Sequence, residues 1–144
     1  MLKAISIIGY LGMVGGLLAG VKIQDFSRTP RLLVSVQIAA VMLLVWARVV
    51  FGRRSYHVVA DPTAGGLVTT GPFRYVRHPI YAAMCLFTLA GFAADRTWGM
   101  GLCAGLVLIS AFARIFCEEN LVQERYPEYA QYSARTWRML PYIY

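Results

Sequence analysis

The residues able to do chemistry in this chain fall into two groups set among long apolar runs. The first is Arg114, Glu118 and Glu119. Arg114 and Glu118 are four positions apart, so on a helix they share a face. Burying such a charge in an apolar span costs roughly 3 kcal/mol, so the side chain faces protein or a wet cavity rather than lipid. Two readings fit: a salt bridge that ends a span, or a polar pocket at the membrane surface. In the pocket, the carboxylate would receive a cationic or hydroxyl-bearing ligand and the guanidinium an anionic one. The second group lies between Gly65 and Tyr81, where Gly65, Gly66, Gly71, Pro72 and Pro79 alternate with Phe73, Arg74, Tyr75, Arg77 and His78. That mixture makes a poor helix and a poor strand, but a suitable binding loop. Pro79 fixes a helix start, with Arg77 and His78 just before it and Tyr81 on its first turn, so these side chains and the turn's N–H groups can converge on an anionic group. His78 alone would read as a packing or capping residue, and Arg74 reads equally as a cation snorkelling to lipid phosphates. His57 is assigned no role, and spacing does not decide whether Arg77 and Glu119 take part directly in the site.

The elements that must position these groups are membrane spans. Hydrophobic residues make up 58% of the 144 and charged residues only 15%, too apolar for an ordinary soluble domain. Runs of about 20 residues reach the roughly 30 Å of a hydrocarbon core. Leu2 to Val21, Leu32 to Phe51, Pro79 to Ala94 and Thr97 to Cys117 read as four spans, the third somewhat short. In the first, Gly12 and Gly16 have the small-xxx-small spacing that lets helices approach closely in lipid, and a generic glycine-rich span reads equally well. In the second, Arg48 can snorkel to the interface beside Trp46, which fits an aromatic belt. Asp95-Arg96 is too short a link for anything but an antiparallel hairpin. Residues 52–78 form a long loop with too many aromatic and β-branched residues for disorder. Residues 118–144 read as amphipathic helices, with a break between Arg125 and Pro127. The expected fold is an all-α integral membrane protein, with residues 1–144 as one domain.

With four spans, the N-terminus, the long loop and the C-terminal tail share a side. That side carries ten of the 14 Lys and Arg residues, against four on the other. The positive-inside rule then places both termini and the loop in the cytoplasm. The net charge of +7 flanks apolar runs instead of gathering on one polar face, which argues against nucleic acid as a partner. Cys85, Cys103 and Cys117 lie inside apolar runs and read as packing residues. No zinc spacing, Walker-type loop or Ser-His-Asp arrangement is present, so metal chemistry and nucleophilic hydrolysis are not expected. The apolar N-terminus lacks a cleavage site leading into a soluble domain and is expected to stay as a span.

The segment Leu67-Val68-Thr69-Thr70-Gly71-Pro72-Phe73-Arg74-Tyr75-Val76-Arg77-His78-Pro79-Ile80-Tyr81, followed by a span and by Glu118-Glu119-Asn120-Leu121 and Tyr126-Pro127-Glu128-Tyr129-Ala130-Gln131-Tyr132, resembles the isoprenylcysteine carboxyl methyltransferase and phospholipid methyltransferase superfamily. The resemblance covers about Gly65 to Pro141. Its Arg-His-Pro-x-Tyr core is shared with steroid-reductase-like membrane enzymes, and the downstream Glu-Glu and Tyr-Pro-Glu-Tyr segments favour the methyltransferases. The resemblance implies an enzyme using S-adenosyl-L-methionine, with cofactor contacts on Leu67 and Val68 through their backbone and on Phe73, His78, Pro79, Tyr81 and Glu118. It implies a substrate-side arginine at Arg114, which would orient or polarise the acceptor as the catalytic residue. Where the carboxyl methyltransferases often carry a histidine ahead of the Leu-Val pair, this sequence has Gly65 and Gly66, a departure that puts one side-chain contact and the carboxylate specificity in question.

The acceptor implied is lipophilic or lipidated, reached from the membrane lipids: a prenylcysteine carboxylate, a phospholipid amine or a thiol. The alternatives are an NADPH-dependent steroid-reductase-like enzyme and a non-catalytic small membrane subunit. Neither the acceptor nor the oligomeric state is written in the sequence.

Overall fold

The computed structural model describes residues 2–52 and 66–143. The first part of the long loop, with Arg53, Arg54, His57 and Gly65, lies outside the described residues. The helices of the described residues are α1 Leu2–Ile23, α2 Arg31–Phe51, α3 Pro79–Ala94, α4 Trp98–Arg125 and the short α5 Tyr129–Ser133. Among the described residues there is no β-strand, only an isolated parallel bridge between Val76 and Trp137.

The helix ends follow from local chemistry. Pro30 and His78 precede α2 and α3, the latter with proline at its first position, where the missing N–H costs nothing. Thr97 caps α4 by accepting from the Met100 N–H at 3.3 Å. α1, α2 and α4 are long and apolar enough to cross a membrane, whereas α3 has only 16 residues. At 1.5 Å per residue it reaches about 24 Å, so it needs cover from its neighbours.

Close approach of α1 to α4 depends on the glycines. A Cβ on Gly9 would lie 3.0 Å from Arg114 Cγ, one on Gly12 2.5 Å from Ser110 Oγ, and one on Gly16 2.9 Å from Val107 Cγ2. The small-residue spacing is therefore a packing face against α4. Because rising numbers on α1 meet falling numbers on α4, the two helices are antiparallel. α3 and α4 are antiparallel too, with Gly91 against Met100 at one end and Tyr81 against Arg114 at the other. α2 runs against α3, since its early residue Gln37 donates to the late carbonyl of Phe87 at 3.3 Å. The start of α1, the end of α2, the start of α3 and the end of α4 thus gather at one end of the bundle, as the sequence requires of its loop and tail.

Met13, Met84, Cys85, Val107, Ala111, Ile115 and Met139 form the core. Leu32, Met42, Val49, Leu102 and Ile109 are exposed on the outside, as expected for helices solvated by lipid. At the far end the Gln24 and Gln37 amides bond reciprocally at 3.1 and 2.8 Å, which satisfies polar groups that lipid could not. The three cysteines are free thiols, Cys85 and Cys117 buried.

Candidate active site

The polar cluster stands where the start of α3 meets the end of α4. It is built by three segments: the chain from Gly71 to Tyr81, the last turns of α4, and the tail beyond α5. Pro72 makes a short 3-10 turn over Gly71–Arg74, a local order that residue composition alone did not suggest. Its entrance needs glycine, because Gly71 sits at φ +58° and a Cβ there would approach Val50 Cγ2 to 2.7 Å.

The tail then fastens this segment. The Arg77 N–H donates to the Trp137 carbonyl at 2.7 Å, the His78 N–H to the Arg138 carbonyl at 2.9 Å, and the Trp137 N–H to the Tyr75 carbonyl at 3.0 Å. The Tyr132 hydroxyl donates to the Phe73 carbonyl at 2.7 Å. Burial pushes the Tyr132 phenol up to about 12 and the Tyr129 phenol higher still, so both keep their protons throughout the neutral range. The N–H groups of Arg77 and His78 that precede α3 are therefore engaged by the protein itself.

Within this frame, direct contacts join His78, Tyr81, Arg114 and Glu118. Arg114 is 3% exposed. Its Nε donates to the Tyr81 hydroxyl at 2.9 Å, its Nη2 to Glu118 Oε1 at 2.8 Å and its Nη1 to the Ser6 carbonyl at 3.0 Å. The Tyr81 hydroxyl in turn donates to Glu118 Oε1. The guanidinium carbon lies 5.3 Å from the Tyr10 ring centre and 5.8 Å from that of Tyr81. The His78 ring stacks on Tyr81 with centres 5.7 Å apart, and its Nδ1 is 3.8 Å from Glu118 Oε2. Pro79 is buried at the helix start behind it.

Glu119 faces a second set of partners. Its Oε1 receives Arg77 Nε at 3.0 Å and lies 3.3 Å from His78 Nε2, while its Oε2 receives Arg138 Nε at 2.9 Å. The two adjacent carboxylates flank one imidazole, and Glu118 is the more open of them, at 23% exposed against 13%.

Leu67, Val68 and Phe73 take no part in that hydrogen-bonded group. Leu67 and Val68 are half-buried in the stretch leading into the turn. Phe73 is buried and stacked on Phe51, with centres 5.2 Å apart, so it ties the loop to α2. Sequence reading missed Ser6, Tyr10 and Arg138. A main-chain carbonyl has no signature in sequence, and Tyr10 and Arg138 stood in segments with no marked polar pattern. Only the conspicuous Arg114 hinted that something must meet it.

On the outer side of α4 a groove of about 210 Å³ is lined by Phe112, Phe116, Asn120, Gln123, Arg138 and Glu119, among others. It runs from aromatic to amide and ionic side chains, the order of a membrane interface. Chemically, the site offers carboxylates, a phenol, an imidazole and a buried guanidinium: good groups for holding a zwitterionic or cationic ligand, with no activated nucleophile among the described residues.

A family model described as phospholipid methyltransferase matches residues 30–129, more than half of the chain. The match takes in α2, α3 and α4, while α1 and most of the tail fall outside it. No curated protein and no solved structure matches the chain.

Proposed function

The chain belongs to the phospholipid methyltransferase family, and from that premise we propose that it transfers a methyl group from S-adenosyl-L-methionine to a lipophilic acceptor at the cytoplasmic rim of a membrane. Family membership carries the coarser statement, methyl transfer to a lipid-related substrate. What supports the finer one is a single observation, the convergence of the first turn of α3 on Glu118.

The donor's amino-acid portion carries an ammonium and a carboxylate, and its sulfur carries a positive charge. The groups present fit that chemistry. Glu118 accepts from Arg114 at 2.8 Å yet keeps an exposed edge for a cation. We assign donor binding to Glu118, His78, Tyr81 and Pro79 at the start of α3, to Phe73, and to the backbone of Leu67 and Val68. When bound, S-adenosylmethionine supplies a methyl group activated as a sulfonium. Such a displacement depends on alignment and on excluding water more than on strong acids or bases, so few catalytic side chains are needed.

Arg114 is the residue we assign to the reaction itself, and its geometry favours action through Glu118 and Tyr81, which it orients, with any contact to the acceptor made from the same buried position. The sequence's charge count, ten Lys and Arg on one side against four, supports a cytoplasmic position for the site. The acceptor would arrive from the bilayer as a lipid amine, a lipidated carboxylate or a thiol.

Calorimetry on the detergent-solubilised protein tests this reading. Binding of S-adenosylhomocysteine supports it; binding of NADPH in its place would indicate a reductase, and binding of neither a non-catalytic protein. Incubating membranes with radiolabelled methyl donor then identifies the acceptor by the fraction that becomes labelled.

A further inference from the structure

We infer that α1, the helix outside the family-matched residues, completes this site, with Tyr10 and Gly9 acting as positioning residues that hold Arg114 against Tyr81 and Glu118. The inference rests on the function proposed above.

A buried guanidinium needs acceptors for its N–H groups and a favourable surface for its charge. Within the matched residues Arg114 finds Tyr81 and Glu118, both on one side. Further contacts come from α1. The Ser6 carbonyl accepts from Nη1 at 3.0 Å, which a helical carbonyl can do with its second lone pair. One turn on, the Tyr10 ring presents its π face 5.3 Å from the guanidinium carbon. Gly9 lies between them, and the Arg114 stem passes so close that a Cβ there would stand 3.0 Å from Cγ. Helix α1 is thereby a wall that fixes how far Arg114 can withdraw from Glu118. A helix serving only as packing would need Gly12 and Gly16, which meet Ser110 and Val107, but would have no reason to place an aromatic face and a carbonyl on the cation.

This distinction gives the test. Wild-type protein and the variants Tyr10→Phe, Tyr10→Leu, Gly9→Ala, Gly12→Ala and Gly15→Ala are purified in detergent and titrated with S-adenosylhomocysteine, with thermal midpoints measured in parallel. Nothing lies within 4 Å of a Cβ at Gly15, so that variant should match wild type in both measurements. Tyr10→Phe keeps the π face and should bind as wild type does. Tyr10→Leu should bind about five-fold more weakly, the worth of one cation–π contact in the lower part of its range. Gly9→Ala should lose affinity several-fold. Gly12→Ala, which meets Ser110 Oγ at 2.5 Å, should lower the midpoint without weakening binding. Equal affinity in Tyr10→Leu and wild type would overturn the inference while leaving the proposed function standing. So would equal loss in Gly9→Ala and Gly12→Ala, a comparison that decides the matter even if Tyr10→Leu does not fold. Absence of binding by the wild type would overturn both.

Discussion

Arg77 and Glu119 are joined by a hydrogen bond of 3.0 Å from Nε to Oε1, across 42 positions of sequence. The same carboxylate takes Arg138 at 2.9 Å, and Arg77 also donates through Nη1 to the carbonyls of Ser133 and Thr136. One side chain on α4 therefore binds the loop and the tail together, and with them the imidazole that faces Glu118. Glu119 thus has a structural job beside the site even though its own carboxylate is largely covered.

Glu119→Gln should consequently loosen the tail and weaken donor binding together. Each lost charged hydrogen bond is worth about 1.5–3 kcal/mol where solvent access is limited. The expected result is faster tryptic cleavage at Arg135 and Arg138, with a drop of about ten-fold in affinity for S-adenosylhomocysteine. Glu124→Gln, on an exposed position of the same helix, should change neither. Unchanged cleavage in Glu119→Gln would show that the backbone bonds alone hold the tail.

Arg114→Ala should reduce methyl transfer by at least about 10²-fold, because it strands a partly buried carboxylate and removes the tie from α4 to the Ser6 carbonyl. If the arginine acts through Glu118 and Tyr81, affinity for the donor falls along with turnover. If it acts chiefly on the acceptor, as the family resemblance implies, turnover falls while donor affinity is largely kept. Arg114→Lys preserves the charge but cannot reach Ser6, Tyr81 and Glu118 at once, so it should recover only a part. Initial rates at varied donor concentration, with calorimetry, separate the two outcomes.

Much of this was legible in the sequence because lipid imposes few solutions on an apolar chain. Long apolar runs must be helices, and Pro30, Pro79 and Thr97 mark where helices begin. The pairing of Arg114 with Glu118 follows from helix geometry, whereas the spacing of Gly12 and Gly16 fitted a generic glycine-rich span as well as a packing face, and only the contacts with Ser110 and Val107 of α4 decide for the latter. The path of the tail was not legible. Its contacts are main-chain bonds between Tyr75, Arg77, His78 and residues 137–138, and such bonds depend on where a non-periodic segment turns. The second partner of Glu119 was hidden for the same reason. Arg138 contributed to the charge count, but nothing in its neighbours directed it to α4.

Gly71→Ala should destabilise the protein with a second consequence at the loop. A residue with a side chain at φ +58° bears about 1–2 kcal/mol of backbone strain, and the added Cβ also presses on Val50 of α2. The midpoint in detergent should fall by several degrees. Gly66, at φ +78° with open space around it, bears the strain without the clash, so Gly66→Ala should cost less. Equal shifts for the two variants would mean that the Val50 contact adds nothing.

The Tyr132 phenol gives the tail a pH dependence whose sign is fixed by its burial. Unfolded, a tyrosine loses its proton near pH 10, whereas Tyr132 in the fold holds it to about pH 12. Between those values the unfolded chain binds fewer protons than the native one, so stability falls as pH rises through that window, and below it Tyr132 contributes no slope. At pH 8, Tyr132→Phe should be less stable by about 1 kcal/mol, for want of the bond to the Phe73 carbonyl. As pH climbs from 10 to 12 the wild type loses stability that the variant keeps, so their midpoints should converge. Tyr129 is raised in the same direction and is present in both proteins, so its effect cancels in the comparison apart from the small part due to Tyr132, the last of its causes. Midpoints recorded from pH 8 to 12 in one detergent check this. Curves that remain parallel across the range would show that the tail has already left Phe73 before the phenol titrates.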